Sequence, residues 1–209
     1  MRASIKSALT TLAIALTSVT AFQAAHAAQR LPKIDPANYN DAQKAEAEKF
    51  LEARKTPVFG PFEPLMYSPD LMTLSRSMGD YLRYKPSIGT KLSELAILVT
   101  AKNWDQDYEW YVHQPIALKV GISQQTTDAI AKGVKPKDMD ADQALVYQFA
   151  WELNHNKSVS DKTYAAAEER FGQQGVVDLA GICGYYSFLA MELNMAQYPL
   201  PAGGKGIPR

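Results

Sequence analysis

The stretch Lys91–Gly121, KLSELAILVTAKNWDQDYEWYVHQPIALKVG, decides how the rest of the chain is read. Leu92 to Ala101 is almost wholly apolar and predicts a helix buried on most of its faces. Asn103 to Asp107 is a polar turn. A second helical pattern follows, and it carries Glu109 and His113 four residues apart. That spacing makes them neighbours on one helix face.

Helical periods extend outward in both directions. Asn40 to Arg54 predicts a helix with a weak apolar face at Ala42, Ala45 and Phe50. Thr56 to Pro69 holds four prolines among Phe59, Phe62 and Tyr67. The prolines exclude a helix there, leaving an aromatic loop that either roofs a pocket or plugs the core. Ser68-Pro69-Asp70 is a helix start, and Leu71, Leu74, Met78 and Leu82 follow at helical spacing to about Arg83. Ser123 to Gly133 predicts a short helix with Ile130 and Ala131 inward. Asp140-x-x-Gln143 is a capping-box pattern that opens a helix to about Leu153. Ser160 caps another helix ending at Gly172, and a last helix runs from about Gln174 to Ala196. No stretch alternates with the strand period between hairpin turns. The expected fold is all-α, with about seven helices.

The first residues have a different character. Arg2 and Lys6 precede an apolar run, and Ala25-His26-Ala27 is a small-x-small cleavage site. Residues 1–27 therefore read as a secretory signal cut between Ala27 and Ala28, which places the mature chain in the periplasm or outside the cell. The 209 residues less 27 leave 182, enough for one domain. The expected divisions are an extended arm at 28–39, a helical domain at 40–197 and a flexible tail at 198–209. Loss of Arg2 and Lys6 leaves 20 positive and 22 negative side chains. Such a balance offers no basic field for nucleic acid or an anionic membrane. No run beyond the signal suggests a membrane span.

Cys183 is the single cysteine, so an intramolecular disulfide, a CxxC pair and a cysteine zinc site are all excluded. Its apolar, aromatic helix points to a packed thiol. His155 sits at a helix end, and HExxH is absent, so no metal is expected. The candidate chemistry falls on Glu94, Glu109 and His113. Glu94 shares a face with Ile97, Leu98 and Ala101, and an apolar environment disfavours a charged carboxylate. The bland reading is an acid stabilised in the first turn of a helix. For Glu109 and His113 the chemical reading is a proton-shuttling pair; the bland one is a surface i, i+4 contact.

LSELAILVTA, a polar turn and YEWYVHQPIALKVGIS together resemble the carboxymuconolactone decarboxylase family, which includes the AhpD-like alkylhydroperoxidases. FGPFEPLMYSP and ELNMAQYPLP add to the resemblance, which spans most of the mature chain. The redox branch of that family carries a glutamate, a CxxC and a histidine four residues past the second cysteine. Here Glu94 matches the glutamate, while Gln106 and Glu109 stand where the two sulfurs would be. The resemblance therefore implies the decarboxylase branch, with no cofactor, a small lactone or carboxylic acid as substrate, and a trimer or hexamer as the assembly. It implies His113 as proton donor, Glu109 as its orienting partner, and Glu94 as a second acid or positioning group; a substrate carboxylate needs donors too, and Arg83 and Lys91 lie nearby in sequence. The alternatives are an AhpD-like peroxidase activity or a non-catalytic helical binding protein.

Overall fold

The computed structural model describes residues 29–209, so the expected signal at 1–27 lies outside the described residues. The described chain is all-helical. After a short 3-10 turn, Pro36–Asn38, come α1 (Asp41–Arg54), α2 (Phe62–Leu65), α3 (Pro69–Tyr84), α4 (Thr90–Asn103), α5 (Asp107–Lys119), α6 (Gln124–Ala131), α7 (Ala141–Asn156) and α8 (Asp161–Ala196).

Helix α4 is the axis. Every residue from Leu92 to Ala101 is buried, because α5, α7 and α8 pack around it. Leu95, Ile97 and Leu98 have no exposed surface. Truncating any of them to Ala costs about 2–5 kcal/mol, since the site can only partly collapse.

The start signals at Ser123, Asp140 and Ser160 are all used. Asn40 and Asp140 form complete capping boxes with Gln43 and Gln143. Ser68 makes no capping hydrogen bond, and α3 starts on Pro69 alone. Gly172 takes φ +70° and ψ 174°, which breaks the path of α8 where the sequence predicts a boundary. Asp178, buried on α8, accepts hydrogen bonds from Tyr81 Oη, Ser87 N and Ser87 Oγ. It thereby pins the turn between α3 and α4 to α8.

Three expectations are corrected. The proline-rich loop contains one helical turn, α2, because Pro64 lies where a backbone donor has no helical partner. The inward face of α1 is Gln43, Glu46 and Phe50, with Ala42 and Ala45 exposed. Specific polar partners outweigh apolar patterning there: Gln43 Nε2 donates to Met66 O, and Glu46 accepts from Thr73 and pairs with Arg76. The segment expected as a flexible tail lies along the start of α5. Ile207 is buried, its N–H donates to Asp107 Oδ1 at 2.9 Å, and Arg209 pairs with the same carboxylate.

The Leu71, Leu74 and Met78 stripe of α3 points outward, and Met72, Ser75, Gly79 and Leu82 face the core. Helix α8 is long and apolar enough to cross a membrane by length and composition alone. Of its most apolar window, however, 61% is buried inside the protein.

Candidate active site

Gln106 opens α5 by accepting a hydrogen bond from Tyr108 N through its side chain. The same side chain donates to Asn194 on α8, so the helix start is tied to its neighbour. From that start, Glu109, His113 and Ala117 recur every four residues and form the buried face of α5. This face meets α4 at Glu94.

The structure brings all three sequence-predicted residues together. His113 Nδ1 lies 2.7 Å from Glu94 Oε2. On the other side of the ring, His113 Nε2 lies 3.5 Å from Glu109 Oε2, which is contact rather than a normal hydrogen bond. The three side chains are 1–3% exposed. Tyr186 of α8 packs edge-on against the imidazole, with ring centres 4.9 Å apart and planes at 86°.

The positions of the two acids differ from their expected roles. Glu94 is the partner bound to His113, behind the ring. Glu109 and His113 line a narrow cleft with an interior volume of about 30 Å³. Oε1 of Glu109 is buried with no partner among the described residues. Burial raises the Glu109 pKa and Glu94 adds to the rise, while His113 and Arg83 act against it.

The aromatic loop, expected either to roof a pocket or to plug the core, does both. Phe59, Pro61 and Phe62 form one side of the cleft, and Phe59 and Phe62 pack on Phe50. Arg54 and Arg83 come from the ends of α1 and α3, and Tyr185 and Tyr186 from α8. Gly79 is required where Tyr185 crosses α3, because a Cβ there would overlap the tyrosine hydroxyl. Lys91, near in sequence, instead pairs with Asp140 on the surface.

The other candidate residues lie elsewhere. Cys183 is 2% exposed, does not line the cleft, and burial pushes its thiol up to about 12. His155 is exposed and stacks on Trp151. Among the described residues, no three His, Cys, Asp or Glu side chains are grouped so as to hold a metal.

No family model matches the chain, and no curated protein matches it. Solved structures do. One is described as an alkylhydroperoxidase AhpD core, an uncharacterized peroxidase-related protein from Ralstonia eutropha JMP134. It is 18% identical, covers 84% of this chain and 93% of its own, and superposes with a TM-score of 0.67. An uncharacterized peroxidase-related protein from Silicibacter sp. TM1040 is 14% identical over 83% of this chain and 91% of its own, with a TM-score of 0.63. The chain therefore has the AhpD-core fold.

Proposed function

We propose that this protein is a cofactor-independent acid–base enzyme of the carboxymuconolactone decarboxylase type, acting on a small lactone or carboxylic acid. The observation that carries the reading is the buried row Glu94–His113–Glu109, with Glu109 Oε1 left unpartnered at the cleft.

The chemistry follows from the arrangement. Glu94 accepts the Nδ1–H of His113 and fixes the ring, which leaves Nε2 facing Glu109. Glu109, kept protonated by burial, is the donor at the cleft. In a decarboxylation the bond from carbon to the carboxylate breaks, CO2 leaves, and the electron pair stays on carbon. Glu109 supplies the proton to that carbon and is reprotonated from water once product leaves, while His113 Nε2, an acceptor, orients its carboxyl group. Nothing is oxidised or reduced. Positioned proton transfer of this kind contributes about 10²–10⁴ in rate.

The peroxidase-related neighbours favour a second reading, a hydroperoxide reductase. That chemistry needs an accessible thiolate. Cys183 is buried, protonated and outside the cleft, so the acid–base reading is preferred.

The mature protein is proposed to be periplasmic or secreted, on the strength of residues 1–27. Self-association is proposed through α3 and α8. Exposed Leu71, Leu74 and Met78 on α3 share an apolar groove with Gly184 and Phe188 on α8, and such a patch marks a contact surface. A Cβ at Gly184 would meet nothing within 4 Å. A mid-helix glycine costs about 1 kcal/mol, and no packing within the chain requires this one. Close approach of a second copy's helix does account for it.

The test of the enzymatic reading is CO2 release from a panel of lactone carboxylates, comparing the wild type with His113→Ala. Release by the wild type, lost in the variant, supports it. Equal activity, or none in either, removes it.

A further inference from the structure

Two arginines line the cleft, and their charges are satisfied very differently. Arg54 is almost entirely buried. One of its terminal nitrogens pairs with Asp80 at 2.7 Å, and its guanidinium lies over the rings of Phe62, Phe50 and Tyr84. Asp80 also pairs with Arg76, which pairs with Glu46. Arg54, Arg76, Asp80 and Glu46 are thus a closed set of two cations and two anions. One group is left over: the Nε–H of Arg54, a residue of the cleft wall, is buried and has no acceptor among the described residues.

Arg83 is the opposite case. It is half-buried, and its guanidinium lies 5.6 Å from the centre of the Tyr84 ring. Among the described residues no carboxylate approaches within 4.0 Å of it to form an ion pair. The nearby acids are otherwise engaged: Glu94 is bonded to His113, and Glu109 is kept towards its neutral form by burial. Arg83 therefore lines the cleft without a paired counter-ion among the described residues, although Glu94 acts on it from a distance. A cation in an apolar wall without a paired counter-ion is costly, and an incoming anion relieves that cost.

We propose that Arg83, assisted by the free Nε–H of Arg54, is the anion-binding subsite of the cleft, and that it holds a carboxylate which stays on the substrate through the reaction. This rests on the acid–base reading of the same cleft. The retained group follows from charge. A carboxylate that leaves as CO2 gives its negative charge up to carbon, so an arginine clamped on it stabilises the ground state and slows its loss. A second carboxylate, one that does not react, anchors the substrate without that penalty. The planar fork of arginine suits such a group.

The experiment is calorimetric titration of the full mature protein with 5-oxotetrahydrofuran-2-carboxylate and with its methyl ester, which has nearly the same shape and no charge. The wild type binds the acid at least tenfold more tightly than the ester. In Arg83→Gln, acid binding falls about 10–100-fold and ester binding is unchanged, the loss expected for a charge-assisted pair. Arg83→Lys keeps part of the preference, which shows that the fold survives substitution. Glu109→Gln keeps the preference, because its part is in proton transfer. The subsite is overturned if the wild type binds neither compound, if it binds both equally, or if Arg83→Gln retains the preference. These outcomes are independent of turnover. A protein that prefers the acid through Arg83 yet releases CO2 equally well without His113 keeps the subsite and loses the acid–base reading.

Discussion

Glu94 and His113 are 19 residues apart in sequence and meet at 2.7 Å in the centre of the α4–α5 contact, both almost fully removed from solvent. A buried carboxylate against one ring nitrogen fixes which face of the imidazole is free. Glu94→Gln keeps the shape and removes the charge. Turnover is expected to drop about 10²-fold or more, as when an orienting carboxylate is lost from an acid–base pair. Nitrogen NMR of His113 in the wild type is expected to place the proton on Nδ1.

Glu192 on α8 is buried, with neither carboxylate oxygen partnered among the described residues. Burial, with Glu109 nearby, pushes its pKa up to about 8. Its folded value is above the unfolded one, so its stabilising contribution is complete at low pH. That contribution fades as pH rises from about 4.5 to 8, where the unfolded chain ionises and the folded one resists. Glu109 acts in the same direction. Thermal melts should therefore show stability falling across this window. Glu192→Met should flatten the fall and stabilise the protein at pH 8 by roughly 1–3 kcal/mol, with little change at pH 4.

Glu152 has the opposite sign. Burial works against its charge, but donors from Ser160 N, Gln148, Thr163 and Ser160 Oγ outweigh it and hold the carboxyl at about 2. Its contribution is present above pH 4.5 and is lost as pH falls towards 2. Glu152→Gln should cost about 2–3 kcal/mol at pH 7 and show a weaker acid transition. Denaturant melts at pH 7 and pH 3 separate the two effects.

The outward stripe of α3 and α8 predicts self-association. Sedimentation of Leu74→Glu and Gly184→Leu should give a smaller species than the wild type, with unchanged helicity. Unchanged sedimentation in both variants would place the contact elsewhere.

Much of the fold was legible because its signals are local. The capping box at Asp140, the break at Gly172 and the apolar run of α4 are each written in a short stretch of sequence. The site was legible to the extent that Glu109 and His113 are four residues apart on one helix, and Glu94 lies on a helix that could only be buried. Which acid binds the imidazole and which faces the cleft was not, since that depends on which side of the ring α4 meets. Of the cleft's arginines, Arg83 was legible only as one of two nearby candidates for a substrate carboxylate, and nothing in the sequence around Arg54 brings it to the same place. The stripe at Leu71, Leu74 and Met78 has the spacing of a core face. Only the tertiary packing, which sets Ser75 and Gly79 against Tyr185, turns it outward.

The most direct test is the rate of CO2 release from a lactone carboxylate that the wild type turns over, in Glu109→Gln, His113→Ala and Cys183→Ser, each confirmed as folded by circular dichroism. The account predicts that the first two fall by about 10² or more while Cys183→Ser keeps the wild-type rate. Full activity without Glu109 and His113, or loss of activity with Cys183 alone, contradicts it.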